Sequence, residues 1–334
     1  SRIVALDALV PVVAPSNPIS AITTPQLAQV LSGEIANWSE LGGPDAPITV
    51  HVVDQSSGLG QATVDRLLAP QERSLTGTAH RHLDGQALVK AVADDPFGLG
   101  VRSRSETGSA WELALQGTCG FALRATRRAV KTEDYPLTAP LFLYMPARRF
   151  PKLVREFLAY MGDPSAQLVV RRAGFVDLAP EEIEINAQGD RFANAIAQAG
   201  EETGLRELQR MVTLLAPLKR LTTTFRFEAG SVRLDAQSRS NVQQLARAFE
   251  IGLYDARRVV FVGFSDGEGP AEGNRRIAQR RAEAVRRAVA AAAETADLSR
   301  IRIETEAFGE AMPMACDDSA WGRQVNRRVE VWVR

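Results

Sequence analysis

The sequence carries no net charge: 40 lysines and arginines balance 40 aspartates and glutamates over 334 residues. That balance speaks against a nucleic-acid partner, which would require a basic face. Cysteine and histidine are scarce, with two cysteines, Cys119 and Cys316, three histidines and no CxxC. A zinc site built from protein ligands is therefore not expected, nor any other metal or cofactor site. Whether the two cysteines form a disulfide or stay as buried thiols is open at this level. No run of roughly 18 uncharged apolar residues occurs, so no segment reads as membrane-spanning. The opening SRIVALDALVPVVAP does not have the form of a signal peptide, so any targeting segment is expected to have been removed or never included. No nucleophile–base pair is supported by a motif, and the chain is not expected to be an enzyme. His80 and His82 fall in a polar stretch and read as solvated.

Packed cores are nonetheless expected, because 45% of the residues are hydrophobic and the length suits about two domains. Over 1–178, apolar strands alternate with short amphipathic helices, as in IVALDALVPVV (3–13), APITVHVVD and FGLGV. Such alternation implies an α/β unit with a mixed or parallel sheet. Thr24 is placed to cap the helix that Pro25 opens. Residues 179–220 are acidic and proline-bearing at the start, with Glu181, Glu182 and Glu184 reading as a linker charge run, and helical at the end. They read as a linker with a helix. From 221 to 334 the order βαβαββ predicts an α+β sandwich with helices on one sheet face.

One stretch of this last region, FSDGEGPAEGNRRIAQRRAEAV (264–285), combines a glycine-rich acidic loop with an arginine-rich helix. It is not a P-loop, since no Lys-Ser or Lys-Thr follows the glycines. It is not an EF-hand either, since the alternating oxygen ligands and the closing glutamate are missing. At 100° per residue, Arg276, Arg280, Glu283 and Arg287 fall on the solvent side of the helix. Arg281 falls inside the apolar stripe with Ile277 and Val285. A guanidinium placed there must snorkel out or meet an anion. Asp266, just past the strand VVFVGF, is the nearest candidate counterpart. Two readings remain open: an internal ion pair, or two charges held apart to grip a zwitterion, with Asp266 on an ammonium and Arg281 on a carboxylate.

These residues are similar to the peptidoglycan-binding signature of OmpA-like C-terminal domains. Asp266, Gly267 and Asn274 match the family's loop, Arg281-Ala282 its Arg-Ala pair, and Asn326, Arg327 and Arg328 its terminal Asn-Arg-Arg. Ser265 stands where the family has threonine, and Ala278 where serine is usual. The resemblance covers about 221–334 and implies that Asp266 and Arg281 hold the diaminopimelate of the peptidoglycan stem peptide.

The first region resembles the phosphate-type periplasmic substrate-binding proteins (PstS-like) over roughly 1–178. Gly33, Ile35, Asn37 and Trp38 carry the pattern Gly-x-Ile-x-Asn-Trp. The implied fold is a partial type 2 periplasmic-binding-protein fold, one complete lobe, with the chain a fragment or processed form lacking the family's N-terminal segment. The implied anion site is Ser56, Ser57 and Gly58 in DQSSGLG, where Val53 and Leu59 replace the family's arginine and threonine. Together the two resemblances imply a non-enzymatic periplasmic protein that binds the cell wall. The rival expectation is a phosphate or anion receptor of an ABC transporter tethered to the wall.

Overall fold

A computed structural model of the chain describes residues 2–106, 108–117, 122–200, 203–228, 230–317 and 320–334. The first half contains β1 (Arg2–Val13), β2 (Ala21–Thr23), α1 (Thr24–Ser32), β3 (Thr49–Val53), α2 (Gly58–Thr63), β4 (His80–His82) and α3 (Gly85–Asp94). It continues with β5 (Gly98–Ser103), β6 (Trp111–Glu112), β7 (Ala114–Gln116), α4 (Arg127–Lys131), β8 (Thr138–Leu143), α5 (Lys152–Tyr160) and α6 (Pro164–Arg172).

β1 is apolar almost throughout because it lies at the centre of a mixed sheet covered on both faces. The sheet order is β4-β3-β5-β1-β6, with β8 also on β1; β3, β4 and β5 run parallel and β1 opposes β5, β6 and β8. The cap of α1 is Thr23 rather than Thr24. Its hydroxyl accepts from the Gln26 N–H while the Gln26 side chain accepts from the Thr23 N–H, and this reciprocal box moves the boundary one residue back.

The second half contains β9 (Glu182–Ile183), α7 (Gly189–Ala197), α8 (Leu205–Leu215), β10 (Lys219–Arg226), α9 (Ala236–Glu250), β11 (Arg258–Phe264), α10 (Ala271–Ala292), β12 (Arg302–Gly309), α11 (Ala320–Asn326) and β13 (Arg328–Val333). The strands form one sheet in the order β12-β11-β13-β10-β9, with β11 and β12 parallel and β13 antiparallel to β11 and β10.

One face, through Phe225, Phe261 and Val331, packs on Leu245, Phe249, Val285 and Val289 of α9 and α10. The opposite face is also covered: Val260, Val262, Phe264 and Trp332 pack on Leu208, Met211 and Leu215 of α8 and Ala195 of α7. Within 221–334, α9 and α10 thus lie on one sheet face, and the second helical layer comes from the segment before it. The stretch expected as a linker supplies an edge strand and the second helical layer. Its acidic run is ion-paired: Glu181 meets Arg127 and Lys131, Glu182 meets Arg257 and Lys219, and Glu184 meets Lys219. These partners come from other elements, so no local pattern announced them.

The two halves meet through buried charges. Arg220 on β10 makes a two-point ion pair with Asp134, at 2.7 and 3.1 Å. Glu330 on β13 binds Arg191 and Arg328 and lies 3.4 Å from the Arg220 Nε. Burial would push the Glu330 carboxyl up, but Arg191, Arg220 and Arg328 outweigh it and hold it well below the ordinary range. Cys316 is disulfide-bonded, and Cys119 lies outside the described residues. Among the described residues no helix is long and apolar enough to cross a membrane.

Candidate functional site

The loop after β11 and the start of α10 come together because Gly263 lets the helix backbone close on the strand. A Cβ at Gly263 would lie 2.2 Å from the Ala278 carbonyl oxygen. Asp266 therefore emerges at the strand end beside the first turns of α10, and it is 7% exposed. Asn274, in the first turn of α10, donates to the Gly269 carbonyl at 3.2 Å and to Glu310 at 2.9 Å, which pins the loop. The Gly267 N–H donates to Asp317 Oδ2 at 2.7 Å, and a side chain at Gly267 would crowd that oxygen.

Arg281 is buried, at 3% exposure, on the face that helical periodicity assigns it. Its guanidinium lies 5.1 Å over the Phe227 ring and donates from Nε and Nη2 to the Ser231 carbonyl at 3.3 Å. Among the described residues it has no carboxylate in ion-pair range. Burial and then the charge of Arg327 pull its pKa down to about 10, with Asp266 acting in the other direction.

The internal partner of Asp266 is Arg327, whose Nη1 lies 2.5 Å from Asp266 Oδ2. Sequence spacing pointed to Arg281 for an internal pair, and the 61-residue separation of Asp266 and Arg327 hid the actual one. The rest of the Asn-Arg-Arg run does different work. Asn326, 1% exposed, accepts from the Met314 and Ala315 N–H groups and donates to the Ala315 carbonyl and Asp317, so it holds the 314–317 loop. Arg328 points to the other sheet face, fully buried against Glu330, the Met312 carbonyl and the Phe264 ring. Burial drops its pKa to about 10. Asp266, Arg281, Asn274, Gly267 and Arg327 thus share one neighbourhood, Asn326 braces it, and Arg328 lies outside it.

Arg226 was not anticipated. From the end of β10 it donates to the Val325 carbonyl at 2.7 Å and the Glu133 carbonyl at 2.5 Å, joining the first half of the chain to the turn that carries Arg327. Nothing in the strand KRLTTTFR, with its three threonines and two other charges, sets Arg226 apart.

The second candidate site lies at the ends of the parallel strands. The Ser56 N–H donates to Asp54 Oδ1 at 2.9 Å, and the Ser57 hydroxyl donates to the Asp54 carbonyl and caps α2 through the Gly60 N–H. Gly58 has open space beside it. At the start of α3, the Glu106 carboxylate accepts from the Ser103 N–H at 3.2 Å and sits against Gly85. Burial raises its pKa. The positive ends of both short helices therefore face carboxylates of the chain itself.

His80 and His82, expected as solvated, form β4 beside His51. The His51 Nδ1 lies 2.9 Å from His82 Nε2 and its Nε2 lies 3.3 Å from Asp95, while the His80 ring stacks at 5.4 Å. Pairing of β3 with β4 decides this, which lone histidines in a sequence do not reveal. Among the described residues no cluster of three or more histidine, cysteine or acidic side chains is arranged to hold a metal ion.

Residues 1–164 match the PBP superfamily domain and residues 226–327 the OmpA family. The chain joins a PBP-like domain to an OmpA domain. Both families are of binding modules rather than enzymes. In its PBP-like domain the chain is 26% identical over 180 residues to the phosphate-binding protein PstS of Borreliella burgdorferi, covering 52% of this chain and 64% of that protein. Its OmpA domain is 33% identical over 101 residues to the outer-membrane lipoprotein YfiB of Pseudomonas aeruginosa, covering 30% and 56%. Among solved structures, an ABC-type phosphate transport receptor from Vibrio cholerae matches 52% of this chain and 70% of its own, with TM-score 0.47 and 21% identity. The chain spans less than two thirds of the length of these two curated relatives.

Proposed function

We propose that the protein is a non-enzymatic, periplasmic wall-binding protein whose OmpA domain takes the diaminopimelate of the peptidoglycan stem, the ammonium at Asp266 and the carboxylate at Arg281. The observation that carries this reading is Arg281: a buried guanidinium that has a carbonyl and a ring for company but, among the described residues, no carboxylate. An unpaired buried charge is costly, and an incoming carboxylate relieves that cost. The test is co-sedimentation of the full chain with isolated diaminopimelate-type peptidoglycan, beside Asp266→Ala and Arg281→Ala. Wild type should sediment, and each substitution should lose roughly 2–5 kcal/mol of binding. A wild type that stays in solution, or two variants that bind as well as it does, ends the reading.

A second reading, an anion receptor tethered to the wall, is supported by the phosphate-binding relatives of the PBP-like domain. Against Ser56, Ser57 and Gly58 as its contacts, Asp54 already takes the Ser56 N–H and the Ser57 hydroxyl is engaged at both ends. Calorimetric titration of the full chain with phosphate decides it, since no heat of binding would remove it.

A further inference from the structure

At the wall site, among the described residues, Asp266 is ion-paired with one guanidinium and the other has no carboxylate of its own. Asp266 is paired with Arg327 at 2.5 Å, and these side chains are only 10% and 17% exposed. Arg281 faces the same neighbourhood with no carboxylate among the described residues, and the charge of Arg327 bears on it. Two further polar groups there are buried without a partner among the described residues, the Arg327 Nε and the Ser265 hydroxyl. A buried guanidinium without a carboxylate partner and two idle hydrogen-bonding groups mark a place where an incoming anion is favoured.

Arg327 is also placed with care. It follows α11 directly, its N–H donates to the Arg323 carbonyl at 3.0 Å, and the preceding residues are held by Asn326 and by Arg226 on the Val325 carbonyl. Its backbone is fixed, while its side chain is the most exposed of the three charges.

We propose that Arg327 is the built-in counterion of the wall site and sets its specificity. Without ligand it neutralises Asp266; when the stem residue arrives, the ligand ammonium takes Asp266 and the Arg327 guanidinium turns, beside Arg281, onto the ligand carboxylate. This rests on the reading above and adds a requirement to it. A ligand with only an ammonium would displace Arg327 and leave two guanidiniums unpaired. A ligand with only a carboxylate finds Asp266 already engaged. The site therefore selects a stem residue bearing an ammonium and a free carboxylate together, against a lysine stem or one whose carboxylate is amidated.

The experiment compares the full chain with its Arg327→Met and Arg327→Lys variants on three walls: diaminopimelate stems, the same stems amidated, and lysine stems. Wild type should prefer the first wall over the other two by at least about tenfold, because groups left unpaired penalise the wrong ligand. In Arg327→Met, Asp266 is free for any amine, so the preference over lysine stems should shrink about tenfold while some binding to every wall persists. Arg327→Lys keeps the counterion charge and should retain most of the preference. Because the readout is a ratio between walls, partial destabilisation of a variant does not imitate it. A wild type that binds diaminopimelate walls, with Arg327→Met showing the same ratio, overturns the role of Arg327 and leaves the Asp266–Arg281 reading standing. A wild type that binds no wall overturns both.

Discussion

The two candidate sites of this chain handle charge in opposite ways. At the strand ends of the PBP-like domain, Asp54 and Glu106 accept from the Ser56 and Ser103 N–H groups, and Ser57 is used up as a cap. In the OmpA domain, among the described residues, Arg281 is buried with no carboxylate, and Arg327 and Ser265 leave polar atoms idle. A satisfied site contributes to folding, whereas an unsatisfied one stores a cost that a ligand can relieve. The contrast explains why two regions with equally plausible motifs receive different functional weight.

The largest expected effect is in the buried charge cluster of the second half. Glu330→Ala would leave Arg191, Arg220 and Arg328 buried without their common carboxylate, and should cost about 3–5 kcal/mol in denaturant unfolding. A loss below about 1 kcal/mol would show that the three arginines do not depend on this carboxylate.

A second test uses pH. Burial, opposed by Arg226 and reinforced by Asp235, raises the Glu133 pKa to about 8. The folded chain therefore retains a proton that the unfolded chain releases near the ordinary carboxylate value. Stability should fall as pH rises from about 4.5 towards 8, with that contribution flat above. Thermal midpoints of wild type and Glu133→Gln across this window check it, the variant losing the part of the slope that Glu133 carries.

The smallest effect sharpens the contrast between the sites. Ser57→Ala should cost about 0.5–2 kcal/mol of stability, as loss of a helix cap does, and leave peptidoglycan binding unchanged. Weakened wall binding in that variant would erase the distinction drawn here.

Much of the OmpA domain was legible in the sequence, because its information is local. A helical wheel placed Arg281 on the buried face, and glycine and asparagine spacing placed the loop. The pairing of Asp266 with Arg327, the brace of Arg226 on the Val325 carbonyl and the departure of Arg328 to the other face were not legible. Each depends on which strands become neighbours. The same holds for His51 and His82, which are 31 residues apart and meet only through β3–β4 pairing.

By itself the sequence determined the two-region organisation, the alternation of strands and helices, and the presence of a charge where packing wanted an apolar side chain. These follow from periodicities of two and 3.6 residues, which a chain carries wherever it goes. Only the tertiary structure decided which charges neutralise one another. Ion pairing falls off over a few ångströms, and residues tens of positions apart come that close only when a sheet brings their strands together. That is why Asp266 found Arg327, the supposed linker became a helical layer, and Arg281 has no carboxylate partner among the described residues.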